Sequence, residues 1–183
     1  MDLTKVSKFL ALILRHKPEE LGLELDTQGW CNVNELVEAF SNKFNGFTVE
    51  TLEEIVKTDN KGRYAFNEDK TLIRAVQGHS TKSVDIDFEE IDWDTLDKVL
   101  YHGTGEKYVE CIIKEGILPK SRNYVHLSGD LDTARNVGAR HGKVVIMQIN
   151  SKLMKLKNIK LYRSENGVYL VDLVPKDCFV VLR

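Results

Sequence analysis

Apolar residues recur at three- and four-residue steps through Leu3, Val6, Phe9, Leu10, Ile13 and Leu14, the spacing of one helix face. Asp2 is placed to cap that helix, which runs into Arg15-His16-Lys17 and stops because Pro18 disfavours helical geometry at Lys17. Leu21, Leu23 and Leu25 alternate as a short half-buried strand would, with a turn from Asp26 to Gly29 before Trp30. Asn32 and Glu35 have capping-box spacing ahead of Leu36, Val37, Ala39 and Phe40, and Thr48 precedes Leu52, Ile55 and Val56, so two further helices are expected. Arg63-Tyr64-Ala65-Phe66 and Leu72-Ile73-Arg74-Ala75-Val76, separated by a turn at 67–70, predict a β-hairpin. Three helices and then a hairpin is a winged-helix arrangement, which by itself fixes no function.

After Gln77-Gly78-His79-Ser80 the pattern weakens. The stretch 81–97 has too few regularly spaced apolar residues for an element and reads as an acidic linker. Strands are then expected over 99–102, 125–127, 143–149, 159–163, 168–171 and 179–182. Between them lie one helix around Val109, Cys111, Ile112 and Ile113, closed by Gly116, and a short one through Ala134 and Val137 capped by Asp130 or Asp132. The expected class is therefore α+β: a winged-helix lobe over 1–80, the linker, and a β-rich lobe over 98–183.

Charge sharpens this division. Residues 1–80 hold 10 Lys+Arg against 13 Asp+Glu, residues 81–97 hold one against seven, and residues 98–183 hold 15 against eight, so a net charge of −2 conceals a basic C-terminal part. A local positive field attracts polyanions even when the whole chain is slightly acidic. Cys31, Cys111 and Cys178 are odd in number and lack C-x-x-C spacing, which argues against a disulfide framework or a thiolate zinc site. No apolar run approaches the roughly 20 residues that span a bilayer, and Met1-Asp2-Leu3-Thr4 does not open a signal peptide; a cytoplasmic monomer is expected.

The candidate chemistry lies in two histidine-bearing stretches, Tyr101-His102-Gly103-Thr104 and Val125-His126-Leu127-Ser128. Strand tips ending in Gly, Thr or Ser expose N–H groups and hydroxyls to a ligand, and two such tips could face one ligand. The plainer alternative is a pair of interior histidines satisfied by backbone. Arg15, His16 and Lys17 gather at a helix C-terminus, where the dipole also favours positive charge.

In order and spacing, Leu14-Arg15-His16-Lys17-Pro18, Gly62-Arg63, Ile73-Arg74-Ala75 with Gln77-Gly78-His79-Ser80, Tyr101-His102-Gly103-Thr104, Arg122 with Val125-His126-Leu127-Ser128, and the run 138–142 resemble the NAD-dependent RNA 2′-phosphotransferases. The resemblance implies an ADP-ribosyltransferase-like fold for the C-terminal lobe, with the active site between the lobes. It implies removal of an internal RNA 2′-phosphate, as left at a tRNA splice junction, by transfer to NAD through an ADP-ribosylated RNA phosphate. The products would be 2′-hydroxyl RNA, nicotinamide and ADP-ribose 1″,2″-cyclic phosphate.

By the same resemblance, Arg15, Arg63 and Arg122 clamp phosphate and His16 is the acid–base partner. His102, Gly103, Thr104, His126 and Ser128 line the NAD pocket, and Arg74, His79, Arg140 and His141 are further substrate-contacting candidates. No metal is expected, since the five histidines lack close ligand spacing. Many protein-modifying ADP-ribosyltransferases carry a glutamate on a late strand. Here that stretch reads Gly167-Val168-Tyr169, which favours a phosphorylated acceptor, because a phosphate dianion is its own nucleophile and a carboxylate would repel it. Three other readings are open: a non-catalytic winged-helix nucleic-acid binder, an ADP-ribosyltransferase acting on nucleic-acid ends or on protein, and a histidine metal site.

Overall fold

The computed structural model describes residues 1–182, which fall into two compact units, Met1–Asp87 and a second from Phe88 onward. In the first, α1 (Leu3–Arg15) starts where Asp2 Oδ1 accepts from the Thr4 and Lys5 amides. It ends in a 3-10 turn over Pro18–Leu21. β1 (Cys31–Asn32) leads into α2 (Val33–Lys43), where Asn32 accepts from the Asn34 and Glu35 amides; α3 (Val49–Thr58) is capped by Thr48. β2 (Tyr64–Phe66) and β3 (Leu72–Ala75) pair antiparallel with Tyr64 opposite Ala75, and β1 adds to the far edge of β3. Leu10, Ile13, Leu14, Leu36, Phe40, Leu52 and Ile73 are buried together in this unit's core.

Two expectations change here. Leu23 is buried and flanked by less buried leucines, but Leu21–Leu25 forms no strand: Pro18 starts a 3-10 turn instead, which Gly22 closes in the left-handed region. Burial alternates there without a partner strand to receive the backbone. The stretch expected to lack structure holds β4 (Glu89–Ile91) and a 3-10 turn over Trp93–Thr95, while Val84 and Ile86 bury against the first unit's side of the division. The indole N–H of Trp93 donates to the Ile159 carbonyl at 2.7 Å, anchoring an element that the acidic composition obscures.

The second unit continues with β5 (Tyr101–Gly105), α4 (Val109–Glu115), β6 (Val125–Leu127), α5 (Leu131–Gly138), β7 (Val144–Ile149), α6 (Ser151–Leu156), β8 (Leu161–Arg163), β9 (Tyr169–Val171) and β10 (Phe179–Leu182). One sheet runs β10-β7-β5 and another β4-β8-β9-β6, and every pairing is antiparallel. Helices and antiparallel strands of this kind make the chain α+β. Between Asp130 and Asp132, it is Asp130 that caps α5, accepting from the Thr133 amide at 2.7 Å. Among the described residues no helix is long and apolar enough to cross a membrane.

Candidate functional site

In the first unit, α1 delivers its cations to the segment that follows the hairpin. The Ser80 amide donates to the Arg15 carbonyl at 3.0 Å, and the His16 Nδ1 and Ser80 Oγ atoms are 2.9 Å apart. Gly78 lies between them with φ +91°, and a side chain there would begin 3.5 Å from the Arg15 guanidinium carbon. A residue with a Cβ would be strained in that conformation, while its Cβ would make only ordinary van der Waals contact with the guanidinium.

His79 is only 4% exposed, and its ring hydrogen-bonds to the Leu14 backbone. Burial, reinforced by the charges of Arg15, His16 and Arg74, pulls its pKa down to about 4, so the ring is neutral at pH 7. It therefore braces the end of α1 without adding charge. Arg74 projects from β3, lies 4.4 Å from the Trp30 ring centroid and donates through Nη1 to the Gln28 carbonyl at 3.3 Å. A guanidinium stacked on indole keeps its charge while its plane is fixed.

Arg63 sits differently. Its guanidinium pairs with Asp59, whose side chain is 3% exposed and also accepts from the Arg63 amide. Tyr64, next in the chain, donates its hydroxyl to the Ser7 carbonyl at 2.6 Å. Burial raises the Tyr64 pKa and the Ser7 hydrogen bond opposes this, as do the charges of Arg15 and Arg63, so both cations act on this phenol.

In the second unit the two histidine stretches are joined. Tyr101 and Ser128 exchange backbone hydrogen bonds of 2.9 and 2.8 Å, and His102 donates from Nδ1 to the His126 carbonyl at 3.1 Å. His126 donates from Nδ1 to the Tyr124 carbonyl, also at 3.1 Å. In both rings this leaves Nε2 as the unprotonated pole when the imidazole is neutral. Burial lowers the His102 pKa; the His126 carbonyl opposes that shift and the nearby His141 adds to it.

Gly103 and Thr104 are not at a tip. β5 continues to Gly105, and Thr104 is 5% exposed. The glycines serve contact between backbones: a Cβ on Gly103 would stand 1.7 Å from the Ala134 carbonyl oxygen in α5. Arg122 and Arg140 are both exposed, on the loop before β6 and in the 3-10 turn after α5. Partial desolvation and then the Arg140 charge push the Arg122 pKa below its usual value, so two like charges share one region. His141 is exposed and its ring meets that of Tyr108 edge-on at 6.1 Å. Tyr169, in the stretch that lacks a glutamate, is buried on β9 opposite Leu127.

Comparison with known proteins decides the family. The RNA 2′-phosphotransferase, Tpt1 / KptA family, matches residues 2–173. The chain belongs to that family. A probable RNA 2′-phosphotransferase of Fusobacterium nucleatum is 50% identical over 172 residues, covering 93% of this chain and 94% of that protein. One from Flavobacterium johnsoniae is 48% identical over 170 residues (93% and 91%), and one from Escherichia coli 42% over 173 (94% and 92%).

Within this RNA 2′-phosphotransferase, the first unit brings together Arg15, His16, Arg74 and His79, and the second brings His102, His126 and Ser128 together and sets Arg122 beside Arg140. Three supporting residues escaped the sequence pattern: Asp59, which holds Arg63, and Gln28 and Trp30, which hold Arg74. Nothing in local periodicity marks them: Asp59 acts within a turn, and Gln28 and Trp30 act through a fold-back of the chain.

Proposed function

We propose that this RNA 2′-phosphotransferase removes an internal 2′-phosphate from RNA, of the kind left at a tRNA splice junction, and that NAD is the acceptor. The observation that carries the reading is the convergence of Arg15, His16 and Arg74 on the Gly78–Ser80 segment, a set of cations with an acid–base imidazole among them, in a chain of this family.

In the first step an oxygen of the RNA 2′-phosphate attacks C1″ of the nicotinamide ribose. The C1″–N bond breaks and nicotinamide leaves neutral, so the step needs orientation more than a base. The imidazoles of the second unit, each fixed through Nδ1 by a backbone carbonyl, suit that requirement. His102, His126 and Ser128, with Gly103 and Thr104 at their side, offer fixed donors and acceptors to an NAD ribose or pyrophosphate. In the second step the ribose 2″-hydroxyl attacks phosphorus and the RNA 2′-oxygen departs. The proton lost by the 2″-hydroxyl must reach the 2′-oxygen, and His16, oriented by Ser80, is the relay. Arg15, Arg63 and Arg122 hold the phosphoryl oxygens, each guanidinium matching them in bidentate fashion. Arg63 must then divide its guanidinium between Asp59 and the substrate. Arg74, Arg140 and His141 contact RNA or dinucleotide, and His79 braces Arg15.

The α1-to-β3 order of the first unit supports a winged-helix lobe, and the antiparallel sheets of the second support an ADP-ribosyltransferase-like one. The reading is of a metal-independent monomer acting in the cytoplasm. Incubating the protein with NAD and a 2′-phosphorylated oligonucleotide, and identifying products by mass, tests it. We expect nicotinamide, ADP-ribose 1″,2″-cyclic phosphate and 2′-hydroxyl RNA from the native protein. His16→Ala should accumulate ADP-ribosylated RNA and slow the second step by about 10² to 10⁴. A stable ADP-ribosylated product from the native protein, or turnover without NAD, would overturn the reading.

A further inference from the structure

A groove of about 400 Å³ opens along α1 in the first unit, within the range of about 300–1,000 Å³ typical of ligand clefts. Thr4, Ser7 and Lys8 form one wall, Ile55 of α3 stands in the other, and Asn60 and Arg63 line it from the turn before β2. Thr4, Lys8, Ala11 and Arg15 follow steps of four, three and four, so one helix face carries the groove wall and ends at Arg15. Lys8 and Arg15 are seven positions apart, about 10 Å along the axis. Tyr64, also in the lining, lies within the fields of both Arg15 and Arg63.

We propose that this groove seats the RNA nucleotide next to the one bearing the 2′-phosphate, with Lys8 on its backbone phosphate; the inference rests on the phosphotransferase reading. Three features select a nucleotide. The lining is partly aliphatic, for a base or ribose face. Asn60, Ser7 and Thr4 supply donors and acceptors without net charge. The uncompensated cation is Lys8, which has no carboxylate partner among the described residues, whereas the acid in the groove, Asp59, is already held by Arg63. A groove of this chemistry tolerates any sequence, because ribose and phosphate contacts carry no base information.

The test compares turnover of a 2′-phosphorylated RNA hexanucleotide with that of a short RNA reduced to the single 2′-phosphorylated nucleotide, which has no neighbour to seat, and measures hexanucleotide binding by fluorescence anisotropy without NAD. In Lys8→Glu, and separately in Thr4→Trp, which fills the groove from its exposed rim, the ratio of kcat/KM for the long over the short RNA should fall about tenfold. Lys8→Glu should also reduce the slope of log affinity against log salt by about 0.7, the share of one single-strand phosphate. Lys176→Glu, an exposed charge reversal on the second unit, provides the control. Unchanged ratios and binding in both groove variants would overturn the proposal while leaving the phosphotransferase reading intact. Failure to turn over either RNA would overturn that reading itself, and anisotropy would still judge the groove.

Discussion

At the scale of single residues, the informative side chains are those whose charge state the fold controls. His79 is neutral because burial and three neighbouring cations disfavour its charged form, giving a folded pKa of about 4 against an unfolded value near 6.5. A depressed folded pKa means that the unfolded chain binds the proton first. The stability His79 contributes is therefore complete above about pH 6.5 and is lost as pH falls toward 4, by about 3 kcal/mol. Denaturant unfolding between pH 7 and pH 4 should show this acid limb, and His79→Gln should flatten it even if the variant is less stable at pH 7. An equally steep limb in His79→Gln would place the titration elsewhere. Sequence order located Arg15, His16 and the Gly78–Ser80 segment but could not show that they meet. The pairing of Arg63 with Asp59 was equally hidden, since a four-residue separation in a turn carries no periodic signal.

At the scale of elements, legibility followed length and capping. α1, α2 and α3 each have an apolar face and a side chain that caps the first turn, and their starts were readable from those caps. β1, of two residues, and α6, of six, are too short to show a period, and both are held by pairing or packing instead. Leu21–Leu25 had the period of a strand without the partner. Gly103 of β5 read as a tip residue, yet its role is to admit α5. Gly103→Ala would drive a methyl group into the Ala134 carbonyl, so α5 must move off β5, at a cost of about 3 kcal/mol or more. Gly22→Ala, at a left-handed position with open space around it, should cost only about 1 kcal/mol of backbone strain. Thermal unfolding of the two variants checks this; similar losses would mean that α5 does not need the close approach.

At the scale of the whole molecule, the sequence separated a slightly acidic half from a basic one, and the structure divides the chain at Asp87 into units with separate cores. In the proposed reaction the phosphate-gripping, proton-transferring set would come from the first unit and the groups that hold the dinucleotide from the second. The fate of one phosphorus atom decides the matter. With a radiolabelled internal 2′-phosphate on RNA and an equimolar amount of NAD, all of the released label should appear in ADP-ribose 1″,2″-cyclic phosphate, one nicotinamide per phosphate. Label released as inorganic phosphate, or released at the same rate when NAD is withheld, would contradict it.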